Sequence, residues 1–259
     1  MNNLLRVPLF VGNSLLNGIR SIGDIFLLCG QGIAKAFVPR YRPKLFLEQL
    51  LFAGVKSLPI VLLTGAFSGM VFALQSIRVF ARFNVETMAG ATVTLALTRE
   101  LAPVLTGLMV AGRVGSAMAT EIGTMRVTEQ VDALVALAVD PIQYLVSPRI
   151  IAGMLMVPLL VIYFDVIGMA GAWLVGVGMY GVDQGFFFSH VQRMVSLSDI
   201  MQGVIKGIIF GAMISSIACH QGFRAEGGAR GVGAATTSAV VWSSVGILAT
   251  NYLMTQLFF

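Results

Sequence analysis

Three ionisable side chains sit where an apolar chain has little reason to keep them. Arg99 and Glu100 stand side by side in LTRELAPVLTGLMVAGRVGSA, just before the uncharged run from Leu101 to Gly112. Lys206 lies inside a second apolar run, GVIKGIIFG. A charge at mid-bilayer costs roughly 2.5–3.5 kcal/mol on insertion scales, and less near the interface. Two cations and one carboxylate at a common depth therefore point to a polar patch that faces a cavity. Gln75, near the end of another apolar run, can join it. Cations there suit an anionic headgroup, with Glu100 holding Arg99 in place, and the apolar stretches beneath suit acyl chains. The competing expectation is ordinary interfacial residues paired with Arg78, Arg82 or Glu86 in the preceding loop.

The elements that position these groups follow from composition. The chain has 259 residues, 57% of them hydrophobic and 11% charged, with a mean hydropathy of +0.87. Soluble domains run near 25% charged, so this is an integral membrane protein. The net charge of +5 is then read as cations kept on one membrane side, not as a nucleic-acid footprint. Cys29 and Cys219 are too few for a disulfide framework. No apolar core followed by a small-residue cleavage site marks a signal peptide.

A bilayer crossing takes roughly 20 helical residues. Leu51–Ser76, Val93–Ala111, Ile150–Val177, Ile200–Cys219 and Ala239–Phe258 qualify. Pro59, Pro103 and Pro158 fall inside three of them and are expected to bend them. Arg6, Arg20, Lys35, Arg40, Arg42, Lys44, Lys56, Arg113, Arg126, Arg149, Arg224 and Arg230 gather on one side, and Arg78, Arg82 and Arg193 on the other. The positive-inside rule puts the N-terminus in the cytoplasm and the C-terminus outside. Arg113 to Arg149 becomes a cytoplasmic loop, and Arg99 and Lys206 fall near the outer ends of the second and fourth spans.

Residues 1–38 read differently. Arg6, Asn13, Asn17, Arg20, Asp24, Gln31 and Lys35 form a narrow polar stripe on an otherwise apolar helix, the pattern of a helix lying in the membrane interface; the competing expectation is a sixth transmembrane helix packed inside the bundle. The fold class is thus all-α: an interfacial helix followed by a five-span bundle over 51–259, in one domain of 1–259. Five spans do not divide into inverted halves, and a homodimer encloses a pathway more simply. Gly203, Gly207 and Gly211, like Gly65 and Gly69, recur every four residues, and such spacing reads as close helix packing rather than as a site.

In the cytoplasmic loop, Ile122, Met125, Glu129 and Asp132 have helical spacing. A short helix around 120–138, ended by Asp140-Pro141, fits either docking to a partner or a plain connector. The chain has no phosphate-binding G-x-x-x-x-G-K-[ST] loop, no hydrolase elbow and no metal-spaced His or Cys cluster. No enzyme activity, resident cofactor or metal is expected in it.

The blocks R-E-L-x-P-V, A-G-R-x-G-S-A and E-I-G-x-M-R-x-T-E-Q, followed by AVDPIQYLVSPRIIAGMLMVPLL, resemble the MlaE (YrbE-type) permease family over nearly the whole chain. The resemblance implies a dimeric ABC-transporter permease in a Gram-negative inner membrane, moving phospholipid between that membrane and a periplasmic carrier to maintain outer-membrane lipid asymmetry. It implies a cytoplasmic ATPase (MlaF-like) that binds ATP and Mg, a STAS-domain protein (MlaB-like) and a periplasmic MCE-domain hexamer (MlaD-like). It places ATPase coupling on Glu121, Arg126, Glu129 and Gln130. It places the lipid cavity at Arg99, Glu100 and Lys206, with Phe72, Val79, Phe80 and Phe83 as its apolar wall. The rival expectations are a proton- or ion-coupled carrier with Glu100 and Lys206 as its relay, and a scaffold that only assembles other subunits.

Overall fold

The structure is a computed structural model that describes residues 6–36 and 43–258. Residues 1–5 and 37–42, which hold the ends of the expected interfacial segment and most of the Val38–Pro43 break, lie outside the described residues. Among the described residues there is no strand. The helices are α1 (Arg6–Ala36), α2 (Pro43–Ala53), α3 (Leu58–Phe80), α4 (Ala89–Ala96), α5 (Ala102–Val110), α6 (Ser116–Val127), α7 (Gln130–Ala136), α8 (Ser147–Trp173), α9 (Gln184–Met194), α10 (Leu197–Phe223) and α11 (Gly228–Phe258).

Five helical stretches are long and apolar enough to cross a membrane: Pro43–Phe83, Glu86–Val127, Ile142–Met179, Leu197–Phe223 and Gly228–Phe258. Each contains one of the expected spans and runs beyond it. The second departs most from expectation. Its 42 residues measure about 63 Å at 1.5 Å per residue, twice the roughly 30 Å of a hydrocarbon layer. The stretch expected as a cytoplasmic loop from Arg113 is, as far as Val127, a helical continuation of the second span that reaches well beyond a bilayer's thickness. The physical reason is local. Ser116, Thr120, Thr124 and Thr128 each return a hydroxyl hydrogen bond to the carbonyl four residues back, and no proline interrupts them. The rod ends where Glu129 turns left-handed, at φ 60°. The helix expected around 120–138 is thus two pieces, the last turns of α6 and the short α7.

Lipid is as apolar as leucine, so helix association in a bilayer rests on close packing and polar seams. The glycine rows do that work here. Gly69 lies so close to the Gly168 carbonyl that a Cβ would overlap it, and Gly211 meets Gly153 in the same way. Gly207 packs on the backbone of Pro158. These contacts bear out the packing reading of both rows. Pro59 stands in the first turn of α3, where a missing N–H is tolerated, whereas Pro158 is inside α8 and Pro103 follows the π turn within the continuous second stretch. The contacts also set the topology around α8. α3 lies along it through Gly65, Gly69 and Ala66. α10 follows it from Gly211 to Gly207, and then Gly203 turns to Thr98 of the second span. At that end the second span stands between α8 and α10, with Leu97 against Gly168.

The C-terminal half of α1 is pinned to the opposite end of the bundle. Ser147 donates to the Gly32 carbonyl at 2.7 Å, Arg224 to Ser21 at 3.0 Å, and Lys35 pairs with Asp140. Ile19, Ile22, Phe26 and Leu27 remain exposed on it as an apolar face.

Candidate functional site: a charge network between three spans

The residues singled out by type meet at one end of the bundle, with different partners from those expected. A π-helical turn covers Leu97–Leu101, and π turns recur at functional sites. Arg99 and Glu100, adjacent in sequence, leave this turn in separate directions. Arg99 reaches across to Asp199. Its Nε and Nη2 both contact Asp199 Oδ1 at 2.7 Å. Glu100 instead accepts from Lys206 at 3.0 Å, Thr255 at 2.8 Å and Asn251 at 2.7 Å. Arg99 is thus tied to α10, and Glu100 to α10 and α11.

Lys206 is the centre of the arrangement and is 1% exposed. Its three protons go to Glu100 Oε1, Thr255 Oγ1 at 2.9 Å and the Arg99 carbonyl at 2.8 Å. The last bond has a covalent cause. Pro103 has no N–H, so the carbonyl four residues earlier loses its helical donor. That carbonyl belongs to Arg99, and the lysine takes the empty place. A buried ammonium with all three donors used is a satisfied charge.

Gly203 makes the meeting possible. Asp199, Gly203 and Lys206 share one face of α10 at spacings of four and three. A Cβ on Gly203 would overlap the Thr98 carbonyl, so only glycine lets α10 approach near enough for both neighbours to reach across. Asp199 is fixed from below as well: its Oδ2 accepts from the Ser196 N–H and hydroxyl, both at 2.8 Å, in a capping box that starts α10. The network thus has a buried layer, Lys206 and Asp199, and a layer about one-third open, with Arg99 at 33% and Glu100 at 37% side-chain exposure. The open layer is the part that another molecule can touch.

The other expected lining residues all lie on α3 and just past its end. Phe72 packs on the main core. Phe80 packs on the smaller cluster of Ile77, Ala89, Val182 and Phe187. Gln75, Val79 and Phe83 are exposed, and Gln75 makes no hydrogen bond to the charge network. The second span stands between this wall and α10, so one chain does not enclose both in a single cavity. Asp199, Asn251 and Thr255 were not singled out from sequence. The Ser196-x-x-Asp199 start signal and the polar pair four residues apart near the end of the fifth span were the available signs.

At the opposite end, Glu121 pairs with Arg149 at 2.8 Å, and Arg126 with Asp132 at 2.6 Å. Arg113 donates to Ser57 at 2.8 Å. Glu129 and Gln130 are exposed at the turn between α6 and α7, followed by exposed Val135 and Leu137. Outside the spans, burial raises the Asp140 carboxyl's affinity for a proton. The hydrogen bond from Lys35, the N–H groups of Ile142 and Gln143 and the Lys35 charge outweigh burial, and the net pKa falls below the usual carboxylate value.

A bundle of five membrane-length helices, knit by charge between three of them, is the build of a polytopic permease subunit. Residues 46–257 match the model of the family described as Permease MlaE, and the chain belongs to that family. A probable ABC transporter permease protein of Rickettsia prowazekii is 46% identical over 256 residues, covering 99% of each chain. The intermembrane phospholipid transport system permease protein MlaE of Haemophilus influenzae is 41% identical over 251 residues, 96% of each. The chloroplastic TRIGALACTOSYLDIACYLGLYCEROL 1 protein of Arabidopsis thaliana is 41% identical over 233 residues, 90% of this chain and 67% of its own. The chain is a transmembrane permease subunit of the ABC-transporter kind.

Proposed function

We propose that this permease moves phospholipid between a bacterial inner membrane and a periplasmic carrier, maintaining outer-membrane lipid asymmetry. The observation that carries the reading is the partly open Arg99–Glu100 layer held by buried Lys206 and Asp199, in a chain 41% identical to a permease named for intermembrane phospholipid transport. Arg99 offers a guanidinium to a phosphate, while Lys206 acts by holding the site in shape. The α3 wall and the network flank the second span, so two copies of the chain enclose what one does not, and a homodimer is the working form. The cation-rich Arg149 end faces the cytoplasm and the C-terminus faces the periplasm.

The chain has no nucleotide-binding loop, so a cytoplasmic ATPase (MlaF-like) binds ATP and Mg and hydrolyses it. The exposed Glu129–Gln130 turn with Val135 and Leu137 is its docking point. Glu121 and Arg126 hold that turn through Arg149 and Asp132. A STAS-domain protein and an MCE-domain hexamer complete the assembly.

The test is reconstitution in phospholipid vesicles with and without the ATPase subunit, reading phosphate release and lipid transfer to a soluble acceptor. The permease alone is expected to release no phosphate, and the complex to transfer lipid only with ATP. Arg99→Glu is expected to lose most transfer, since a reversed charge near a phosphate at an effective dielectric near 20 is worth up to about 4 kcal/mol, and to lower stability as well, because it sets a carboxylate against buried Asp199. Arg99→Lys is expected to be milder. Transfer driven by a proton gradient without the ATPase would favour the ion-coupled carrier instead. Glu129→Lys is expected to release the ATPase on purification while the permease still inserts, and unchanged co-purification would remove the turn from the docking site.

A further inference from the structure

Away from the charge network, a cleft of about 470 Å³ opens at the same end of the bundle. It lies between the end of α3, the Glu86–Met88 turn and the Tyr180–Asp183 turn. That volume is within the roughly 300–1,000 Å³ of small-ligand clefts. Ile77 and Val182 form its apolar floor, and Arg78, Glu86, Tyr180 and Asp183 stand on its sides. Gly181 at φ 68° lets the chain reverse after the third span, with the Val182 N–H bonded to the Gly176 carbonyl at 3.0 Å. The reversal brings Tyr180 and Asp183 onto the rim. The Tyr180 hydroxyl accepts from Arg78 Nε at 3.4 Å, and among the described residues the terminal nitrogens of the guanidinium have no hydrogen-bond partner. None of Arg78, Glu86 and Asp183 is ion-paired among the described residues. Opposite charges are therefore held apart across a slot instead of neutralising one another.

We propose that this slot binds a zwitterionic phospho-amine headgroup, with its phosphate on Arg78 and Tyr180, its ammonium between Glu86 and Asp183, and the start of its acyl chains over Ile77 and Val182. A single cation with two carboxylates matches a phosphate followed by an amine and disfavours a headgroup that is only anionic. Arg78 is two residues from the end of a membrane-length helix, which is headgroup depth on either side of a bilayer. The slot rests on the lipid-transport reading for its role, as a holding place beside the path. Headgroup capture is a binding event that needs neither ATPase nor transport, so the two readings fail separately.

The test uses the full chain in vesicles with a benzophenone amino acid in place of Ala81, which lines the cleft and is exposed. Radiolabelled phosphatidylethanolamine and phosphatidylglycerol are offered in equal amounts. Capture is expected to favour phosphatidylethanolamine by about threefold to tenfold, the scale of two exposed charge contacts. Arg78→Glu is expected to abolish the preference. Glu86→Gln with Asp183→Asn is expected to raise phosphatidylglycerol capture to equality without loss of total signal, a gain that misfolding does not produce. Asparagine keeps the cap that Asp183 gives the Phe186 N–H at 2.9 Å. A further arm adds soluble glycerophosphoethanolamine. Competition at millimolar concentration assigns the slot to the headgroup chemistry from water as well as from lipid, and absence of competition assigns it to the lipid alone. Equal capture of both lipids by the wild type, unchanged by either variant, would reduce the cleft to ordinary annular lipid contact and overturn the proposal.

Discussion

The two ends of the bundle use charge in opposite ways. At the Lys206 end, ion pairs lie in the seam between the second and fourth spans, with one member of each buried, and Asn251 and Thr255 of the fifth join by hydrogen bonds. At the Arg149 end the pairs are nearer the rim: Arg149 is buried, but Glu121 is 54% exposed, Arg126 is partly open and Asp132 is 60% exposed. The difference separates two jobs. A buried charge must be satisfied inside the protein, so the Lys206 end is rigid and its few open groups are well aimed. Rim charges are screened and replaceable, and they suit a surface that another protein covers.

The sharpest way to break this contrast is to remove one buried cation at each end. Lys206→Met leaves the Glu100 carboxylate without its counter-charge and the Arg99 carbonyl without a donor. The expected loss is about 3 kcal/mol, the low end for breaking a buried pair, because Glu100 keeps Asn251 and Thr255. Arg149→Met frees a carboxylate already in water and gives up the bond to the Leu145 carbonyl, for about 1–2 kcal/mol. Thermal unfolding in detergent, followed by Trp173 and Trp242 fluorescence, ranks the two. Equal losses would mean that the two ends are alike.

A smaller effect sharpens the same contrast in the backbone. Gly203→Ala puts a methyl against the Thr98 carbonyl and pushes α10 away from both Arg99 and Glu100, with an expected loss of about 1–3 kcal/mol. Gly112→Ala, on the rod towards the Arg149 end, meets nothing within 4 Å. It should stabilise by about 0.5–1 kcal/mol through helix propensity. The same unfolding assay reads both, and a destabilising Gly112→Ala would show that this face is packed by something the single chain does not contain.

These contrasts also separate what the sequence could tell from what it could not. That Arg99, Glu100 and Lys206 come together was legible, because charge in apolar spans needs company. Which partner each takes was not. The pairing depends on a π turn that a hydropathy profile does not register, and on Pro103 freeing a carbonyl several residues away. Asp199 read as a helix start and Asn251 and Thr255 as unremarkable polar residues, because their role exists only once α10 and α11 are packed. The glycine rows were read correctly since a four-residue repeat has one main use in a bilayer. How far the helix of the second span runs on was not legible, because small hydroxyl residues lower hydropathy without ending a helix.

The smallest expected effect concerns the tie that holds α1 to the Arg149 end. Lys35 and Asp140 are both about one-third exposed, so solvent screens the pair and its contribution is modest. Its pH dependence has a definite sign. The folded Asp140 carboxyl has a lowered pKa, so its contribution is fully present above the ordinary aspartate value near 3.8 and is lost as pH falls through the lower folded value. Docking of α1 should therefore be unchanged from pH 8 to pH 5 and loosen only in stronger acid. A spin label at Gly30→Cys, in a Cys29→Ala background, reports this from a position where an added side chain meets open space. Wild-type label mobility should be flat across the neutral range and rise in acid towards that of Asp140→Asn, which should be slightly raised at every pH. A transition near neutrality would assign the docking to a different titrating group, and identical mobility in wild type and Asp140→Asn at neutral pH would show that Ser147 on the Gly32 carbonyl and Arg224 on Ser21 hold α1 without the ion pair.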